Sequence, residues 1–492
     1  MHPASPLLKG GITLIAILGV VIANLRERLI NIFLPGYNEE GDPVDYVVNH
    51  GFIGYAILAI AALLIVLIVG FYLSWRMHSF RITDEVVEVR SGILFRTNRK
   101  ARLDRIQGIN IVRPFFARLF GAAKLEVNQA GADANVQLSY LGSLAADDLR
   151  REILRLASGT RTAAASATAY ETAGHGVIDR RVHEFLAPEL DPDAAPPESV
   201  VKIHPGRLIG SILLSGTTIV IIIGVAAAIV SVLVFREFRI LFGVIPALLG
   251  FGSFYVTRFT KSLRYSIAGT PDGVRVGFGL LTTSNETLPP GRIHSVQVNQ
   301  PLLWRQAGWW EIKVNRASHS STSGAAGESN TTILPVGDRS DVLRVLQLLL
   351  PSLTGEVADS LLDGGLFGKG SAGDGYTSSP PRAAWLRWFS WKRNGFAITP
   401  EGVLLRKGAV WRELIIVPTP RVQSVSVSQG PLYRRCRLAS VHLHTVAGPI
   451  SAKLGAVDQS VALEFFRTVA TVTISSATAD TSHRWRASEN PA

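Results

Sequence analysis

The stretch from residue 421 to residue 443, RVQSVSVSQGPLYRRCRLASVHL, determines how the rest of the chain is organised. It alternates apolar and polar residues, breaks at Gly430-Pro431, passes through a basic cluster and then alternates again. A period of two is typical of half-buried β-strands, and a Gly-Pro pair is typical of a turn. The stretch therefore predicts two short strands joined by a turn.

Two other parts of the chain align with this stretch without a gap: RIQGINIVRPFFARLFGAAKLEV from Arg105 and RIHSVQVNQPLLWRQAGWWEIKV from Arg292. Each copy has a glycine thirteen residues before its leading arginine and a second arginine thirteen residues after it. These landmarks are Gly92, Arg105 and Arg118; Gly279, Arg292 and Arg305; and Gly408, Arg421 and Arg434. Self-similarity with constant spacing is the mark of a repeated structural unit, so the chain is predicted to contain three homologous modules.

Each copy is predicted to be a small β-rich module that ends in a helix. The segments FRITDEVVEVR, YSIAGTPDGVRVG and FAITPEGVLLRKG open the copies and predict a hairpin, with Thr-Asp, Pro-Asp-Gly or Pro-Glu-Gly at the turn. A helical pattern closes each copy, from Leu144, Ser340 and Asp458, and the last two residues are candidate N-caps. Several strands followed by one closing helix form the outline of a pleckstrin-homology-like (PH-like) barrel.

The pattern G-x12-R-[IV]-[QH]-[SG]-[VI]-x-[VI], followed by x4-[FL]-x-R, resembles the bacterial PH-like domain family, and in particular YdbS/YdbT-like membrane proteins with repeated PH-like domains. The resemblance covers nearly the whole chain, including WKRNGFAIT at the start of the third copy. It implies paired transmembrane helices joined to PH-like domains. The sequence departs from the pattern at Arg437, where the other copies have Gly121 and Gly308.

Two blocks without any charge, at 51–75 and 208–235, are each longer than the roughly 20 residues that a helix needs to cross a bilayer. Shorter apolar blocks at 10–25 and 240–257 are predicted to pair with them as helical hairpins. The block at 10–25 could instead be a signal peptide, but no small-residue cleavage site follows it. The predicted fold is an α+β membrane protein with four transmembrane helices in two hairpins, plus three PH-like barrel or sandwich modules, each closed by a C-terminal helix.

Charge predicts the orientation of these hairpins. Arginine and lysine follow the second and fourth spans and precede the third, whereas the loop between the first two spans is acidic. The positive-inside rule then places both termini and all three modules on the cytoplasmic side of a bacterial plasma membrane. The single cysteine, Cys436, fits a reducing interior. The net charge of +12 predicts an interaction with the anionic lipids of the inner leaflet rather than with nucleic acid. The lipid surface is the polyanion nearest to a membrane-tethered protein.

The repeats and linker compositions predict the following domain boundaries. They are a transmembrane hairpin at 7–75, a PH-like domain at 76–158, a linker at 159–200, a second hairpin at 201–260, a PH-like domain at 261–351, a flexible linker at 352–382, a third PH-like domain at 383–474 and a disordered tail at 475–492.

The repeated arginines are the first candidate site residues: Arg105, Arg118, Arg292, Arg305, Arg421 and Arg434. They could bind anionic headgroups or acidic peptides, since guanidinium groups form paired hydrogen bonds with such groups. They could instead pin turns of the barrel by binding local carbonyls or carboxylates. Equal spacing in three divergent copies favours this structural interpretation.

A second candidate site is the stretch AAWLRWFSWKRNGF at 383–396, which interleaves aromatic and basic residues. Such stretches favour the headgroup zone of a membrane, where rings are half buried and cations meet phosphate. The candidate interface residues are Trp385, Arg387, Trp388, Trp391, Lys392 and Arg393. The alternative is that these aromatic rings pack between the second and third modules.

The sequence indicates no catalytic residue, no metal and no cofactor. His442 and His444 lie two apart on a predicted strand, but no third ligand has suitable spacing. The predicted function is non-catalytic: the modules bind a lipid surface or proteins and scaffold an envelope process, and the resemblance suggests stress or antimicrobial-peptide resistance.

The predicted partners are the lipid bilayer and a sister membrane protein with a PH-like domain, while the oligomeric state stays open. The alternative function is a transporter or lipid-handling protein that uses a groove between the transmembrane helices. Its predicted polar residues are Thr13, Ser211, Ser215, Thr217, Thr218 and Ser253.

Overall fold

The computed structural model describes residues 53–92, 96–130, 135–158, 201–235, 241–289, 291–317, 331–370 and 373–480. Three predicted features lie outside these residues: the short span at 10–25, the linker at 159–200 and residues 481–492 of the tail.

The first module follows helix α1 (Ile53–Arg76) and consists of two three-stranded antiparallel sheets packed face to face. The first sheet contains β1 (Ser79–Ile82), β2 (Val86–Ser91) and β3 (Thr97–Arg102). After a 3-10 turn (Leu103–Arg105) come β4 (Ile106–Arg113), α2 (Phe115–Leu119), β5 (Ala122–Gln129), β6 (Val136–Gly142) and the closing helix α3 (Ser143–Ala157). Alternate residues of both sheets, such as Val87 and Ile109, fill a common core with Ile153 of α3.

Three helices stand before the second module: α4 (Pro205–Leu213), α5 (Gly216–Phe235) and α6 (Leu241–Ser262). Helices α1, α5 and α6 coincide with the apolar blocks that were predicted to span a membrane. Judged by length and hydropathy, no single helix among the described residues qualifies as a membrane span. Helix α4 and the Gly216–Ser231 part of α5 qualify together, as a pair bent by 50°. The four predicted spans therefore stay a prediction.

The second module repeats the plan of the first. Its elements are β7 (Val201–Lys202), β8 (Ser266–Thr270), β9 (Gly273–Phe278), β10 (Thr283–Leu288), β11 (Ile293–Gln300), α7 (Trp304–Ala307), β12 (Trp310–Arg316), β13 (Thr332–Gly337) and α8 (Arg339–Leu349). The N-cap of α8 is Asp338, which forms a capping box with Asp341, rather than the predicted Ser340. The carboxylate of Asp341, three residues after Asp338, accepts a hydrogen bond from the backbone N–H of that cap. A cap at Ser340 would lack this second hydrogen bond.

The third module comprises β14 (Thr377–Ser378), β15 (Gly395–Ile398), β16 (Gly402–Lys407), β17 (Arg412–Pro418), β18 (Ser424–Ser428), a helix at Pro431–Arg435, β19 (Leu438–His444), β20 (Ala452–Asp458) and a closing helix at Gln459–Ala479. Asp458 caps the closing helix, as the sequence predicts. That helix extends beyond residue 474, so the first part of the predicted disordered tail is ordered.

The segment at 352–382, predicted as a flexible linker, contains helix α9 (Glu356–Leu366). Its residues Leu361, Leu362 and Leu366 are buried in the core of the second module. The hydroxyl of Tyr376 donates to the Leu361 carbonyl over 2.9 Å. The apolar residues recur at helical spacing, and the surrounding glycines and serines hid this pattern. We number the two helices of the third module that follow it α10 (Pro431–Arg435) and α11 (Gln459–Ala479).

The three modules are joined because their sheets continue into one another. Strand β4 of the first module pairs with β10 of the second, and β11 of the second pairs with β17 of the third. Two seven-stranded sheets result, with strand orders β6-β5-β4-β10-β9-β8-β7 and β13-β12-β11-β17-β16-β15-β14. We call the β4–β10 contact the first seam and the β11–β17 contact the second seam.

Both seams have the same register. In the first seam Ser284 lies opposite Val112, and in the second Glu413 lies opposite Asn299, which are the corresponding residues of the repeat. The whole set of five paired positions in each seam agrees in this way: Thr283–Arg113, Ser284–Val112, Asn285–Ile111, Glu286–Asn110 and Thr287–Ile109 match Arg412–Gln300, Glu413–Asn299, Leu414–Val298, Ile415–Gln297 and Ile416–Val296. Both pairs of adjacent modules are thus joined through corresponding residues of the gap-free repeat.

Helix α4 attaches the second hairpin to the second module. Arg207 of α4 donates to Asp341 at the start of α8 over 2.7 Å. The indole N–H of Trp304 donates to the Ser211 carbonyl over 3.2 Å. A Cβ atom at Gly210 would lie 2.6 Å from the ring of Trp309, so only glycine allows this close approach. The hairpin is therefore fixed to the module by packing and not only by the chain.

Arg437 adopts the turn geometry of the two glycines it replaces. Its φ is 51°, compared with 67° at Gly121 and 68° at Gly308. A left-handed conformation costs a non-glycine residue roughly 1–2 kcal/mol, because Cβ crowds the following carbonyl. The repeat geometry is therefore kept in the third module at the expense of local strain.

We expect the substitution Arg437→Gly to raise the free energy of unfolding by about 1 kcal/mol, because it relieves this strain while the hydrogen bonds at residue 437 use its backbone N–H and carbonyl, which glycine keeps. Thermal unfolding of the full chain in detergent would measure it. Arg435→Gly, at the end of α10, removes the same charge from a helical position and should lower stability instead. Equal effects of the two substitutions would contradict the assignment of strain to residue 437.

A second prediction concerns Glu286 of β10 and Arg316 of β12, which form an ion pair that is buried in the second module. We expect Glu286→Leu or Arg316→Met alone to destabilise the protein by about 3–5 kcal/mol, because each removes one member of a buried ion pair. The double variant Glu286→Leu/Arg316→Met should recover most of the loss, since no charge remains to be desolvated. Additive losses in a double-mutant cycle of denaturant midpoints would show that the two groups do not act as a pair.

Candidate functional site

An open groove of about 710 Å³ lies on the third module, beside α10 and the outer face of the β18-β19-β20 sheet. We call it the basic groove. It is lined by Arg387, Lys407, Ser428, Gly430, Pro431, Leu432, Tyr433, Ser440, Ser451, Lys453 and Gly455. These residues include three cations and four hydroxyl groups, and none is acidic.

The sheet register brings the polar side chains of the groove together. Ser428 of β18 lies opposite Ser440 of β19, so their side chains share the outer face with alternate residues of each strand. Lys453 of β20 lies opposite His442 on the same side. Lys407, at the end of β16, reaches the groove while it forms a 2.8 Å ion pair with Glu413. The positive charges of Arg387 and Lys453 are thus less neutralised than that of Lys407.

Gly455 makes room for two of the lining side chains. A Cβ atom at this position would lie 2.9 Å from the Tyr433 hydroxyl and 3.2 Å from Nη2 of Arg387. The phenol and the guanidinium therefore approach the floor of the groove because residue 455 has no side chain.

The imidazole of His442, beside the groove, does not supply its positive charge. Burial lowers the pKa of His442, and the neighbouring His444, Lys453 and Lys407 lower it further. His442 is consequently neutral at pH 7. The two imidazole rings are 4.0 Å apart, and Nε2 of His444 lies 2.9 Å from the Ser426 hydroxyl. Among the described residues, no third ligand completes a group that could hold a metal ion with them.

A rim of exposed aromatic side chains belongs to the same segment as Arg387. Trp385 is 63% exposed and Trp388 is 75% exposed, and Phe389 packs edge-on against Trp388 with ring centres 5.0 Å apart. Water-exposed indole rings next to cations are the arrangement that favours a membrane headgroup region. Trp385 and Trp388 are thus exposed as a membrane interface requires, and the interface at 383–396 stays a prediction for them.

Other members of that predicted interface have different surroundings. Trp391 packs against Ala383, Leu438 and Ala456, and Lys392 lies over its ring at 5.7 Å. Arg393 was predicted to face the membrane, but it is only 4% exposed.

The guanidinium of Arg393 donates to the carbonyls of Gly365 and Leu366 over 2.7 Å and 3.2 Å, at the C-terminal end of α9. Free carbonyls at a helix end attract a cation, which explains why this arginine turns inward. Burial, followed by the nearby Arg412 and Arg406, lowers the pKa of Arg393 to about 9.

Sequence reasoning missed Arg406, which is fully buried on β16. Its Nη1 donates to Asp374 over 2.6 Å and to the Gly364 carbonyl over 2.9 Å, and its guanidinium lies 4.3 Å from the ring centre of Tyr376. The available signal was its position in VLLRK, where an arginine falls within a nearly continuous apolar run. Arg406 holds the end of α9 against the third module.

Of the three arginines that follow the leading ones, Arg118 and Arg305 lie at the seams. Nη1 of Arg118 donates to the Leu280 carbonyl over 3.0 Å, and Nη1 of Arg305 donates to the Ala409 carbonyl over 3.1 Å. Leu280 and Ala409 both follow the repeated glycine of the next module, which has a positive φ. Each arginine thus connects its own module to a turn of the following one. Arg434 has the same position on α10 and is exposed.

The leading arginines lie near the ends of the same strands. Nη2 of Arg292 donates to the Asp104 carbonyl of the first module over 2.9 Å. Arg421 forms a 2.8 Å ion pair with Asp480 after α11. Burial, and next the positive charge of Arg421, lower the pKa of Arg292. Arg105 is exposed in the 3-10 turn before β4. None of the six repeated arginines is among the residues that line the basic groove.

Comparison with known proteins agrees with this architecture. The family model described as "Bacterial PH domain" matches residues 29–157, 208–352 and 376–482. The UPF0699 transmembrane protein YdbT of Bacillus subtilis (strain 168) is 21% identical over an alignment of 360 residues that covers 68% of this chain and 68% of that protein. Each of the three matched regions contains one copy of the repeat, and together they cover more than half of the chain. The chain therefore belongs to the bacterial PH domain family, as its repeated landmarks predict.

Proposed function

We propose that this protein is a non-catalytic membrane protein that presents three bacterial PH modules to the cytoplasmic membrane surface and binds anionic lipid headgroups in the basic groove. The observation that carries the proposal is the convergence of Arg387, Lys407 and Lys453 in one groove beside the exposed Trp385 and Trp388.

The groove chemistry supports an anionic ligand. Guanidinium and ammonium groups surrounded by hydroxyls can donate several hydrogen bonds to phosphate oxygens. Each cation close to an anionic leaflet contributes roughly 1 kcal/mol to surface binding, and this contribution falls within a Debye length. The neighbouring indole rings add the interfacial affinity that a set of cations alone lacks.

The apolar helices support membrane attachment. Many large apolar side chains of α1, α5 and α6 are exposed: Tyr55, Leu58, Ile65, Val66, Ile68, Val220, Ile222, Ile223, Leu233, Val234, Leu249 and Val256. Apolar surface of this extent is not left in water by a stable protein. The relative from Bacillus subtilis is named a transmembrane protein. Attachment through these helices would keep the basic groove close to the lipid surface.

The transporter alternative has less support in the described helices. The hydroxyl of Thr218 lies 2.7 Å from the Tyr255 hydroxyl and 3.0 Å from that of Ser215, and it donates to the Ile212 carbonyl over 2.7 Å. These polar groups form hydrogen bonds with one another between α4, α5 and α6, and they do not line a transport path between the helices. A role in envelope stress and a sister PH-like partner stay predictions.

The proposal predicts contact between the aromatic rim and anionic lipid. The full chain would be placed in nanodiscs of phosphatidylcholine that contain brominated phosphatidylglycerol or brominated phosphatidylcholine, and tryptophan fluorescence would be recorded. The signal of Trp385 and Trp388 is the difference from the Trp385→Phe/Trp388→Phe variant. We expect stronger quenching by the anionic lipid at low salt, because the groove cations concentrate it, and a smaller difference at high salt.

The double variant Arg387→Gln/Lys453→Gln should abolish the preference for the anionic lipid. Its matched control is Arg344→Gln/Arg467→Gln, which removes the same charge from exposed positions on α8 and α11, outside the groove. The control should behave as the unmodified chain. Equal quenching by both brominated lipids at every salt concentration would refute the proposal, as would a control variant that loses the preference as fully as the groove variant.

A further inference from the structure

The array of joined modules has one open strand edge at each end. Among the described strands, β3 pairs only with β2, and β18 pairs only with β19. The corresponding strands of the other modules are all paired: β10 and β17 occupy the position of β3, and β4 and β11 occupy that of β18. The open edges are thus the two halves of one seam.

We propose that β18 of one chain pairs with β3 of a second copy of this chain, so that copies join head to tail through a third seam. This inference is independent of the proposed lipid binding. The repeat spacing specifies its register, which places Thr97 opposite Ser428, Asn98 opposite Val427, Arg99 opposite Ser426 and Lys100 opposite Val425.

The two existing seams are the basis for this register. They share every paired position although their side chains differ, with Asn285, Glu286 and Thr287 in one and Leu414, Ile415 and Ile416 in the other. Backbone geometry and module shape therefore determine the register in which two modules pair. The first and third modules have the same strands at the same spacing, so their free edges present the same geometry.

The chemistry of the two edges favours this pairing over self-pairing. Strand β18 reads SVSVS and has neither a charge nor a proline, the features that usually protect an open edge. Strand β3 reads TNRKAR, and antiparallel pairing of two such strands would bring arginine and lysine side chains together. The basic β3 edge is thus repelled by another copy of itself and compatible with the neutral β18.

Two side-chain features at the ends point the same way. Arg434 is exposed at the position from which Arg118 and Arg305 bind the next module, so it is placed to bind a second copy close to Gly92. On α11, Leu463 is 48% exposed and Phe466 is 41% exposed.

Leu463 and Phe466 correspond in the repeat to Asp147 and Arg150 of α3. Asp147 lies at the first seam, where its carboxylate is 3.7 Å from Arg275 of the second module and 3.1 Å from Arg150. Leu463 and Phe466 of α11 therefore lie where the first module of a second copy would cover them.

The described helix that leads into each of the first two modules is compatible with such a joint. The second module is entered directly from α6, and its β10 is nevertheless paired with β4. The first module is entered from α1 in the same way. A contact between two different surfaces of the same chain does not close on itself after two copies, so the expected products are rings or filaments.

Register-specific disulfide cross-linking of the full chain in native membranes tests the proposal. The single native cysteine is first replaced by Cys436→Ser. A chain with Thr97→Cys and a differently tagged chain with Ser428→Cys are then produced together and oxidised. We expect a covalent dimer that carries both tags, because these exposed positions lie directly opposite each other in the third seam.

The matched control combines Asn98→Cys with Ser428→Cys, which is displaced by one residue and places the two sulfurs on opposite faces of the sheet. It should give little or no dimer. Dimers formed by the Ser428→Cys chain alone would show β18–β18 pairing and overturn the proposal. The absence of a mixed-tag dimer, with both chains present in the membrane and unchanged in thermal stability, would also overturn it.

Discussion

The structure depends on the requirement that the edge N–H and C=O groups of a β-strand find partners. Each module alone has two antiparallel sheets of three or four strands, with open edges on β4, β10, β11 and β17 or their equivalents. Pairing β4 with β10 and β11 with β17 satisfies these groups within one chain. The modules are therefore parts of one continuous β-structure, and a disturbance at a seam affects two modules at once.

This constraint explains the features that the repeats hold in common. The positive φ of Gly279 and Gly408 shapes the turn whose next carbonyl accepts a hydrogen bond from Arg118 or Arg305, so glycine and arginine are two ends of one contact. Contacts across the two seams thus account for the equal spacing of these residues. The basic groove is different in kind, since it is described only on the third module and uses none of the repeated landmarks.

The sequence predicts the modules well because strand periodicity and the three landmarks are local or strictly repeated. It does not predict which edges meet, because the strand periodicity is alike in every copy and the side chains that distinguish the edges are brought together only by the fold. Arg387 and Arg393 are equally basic in the sequence, yet one lines the groove and the other caps α9, since only the fold brings the carbonyls of Gly365 and Leu366 near. The groove itself combines residues from 387 to 455 that no short motif connects.

The side chains decide which edge meets which. At the first seam Arg113 binds Asp147 over 2.8 Å, and Arg275 binds Asn285 over 2.9 Å, whereas the corresponding face of the second seam is apolar, with Leu404 and Leu414 in the places of Arg275 and Asn285. If β17 took the place of β10, leucine would face Asp147, and this partly buried carboxylate would lose Arg275 as a neighbour. An unsatisfied buried group costs about 1–3 kcal/mol, and a buried charge costs more. The backbone thus makes joining possible at every seam, and the side chains make each internal joint specific.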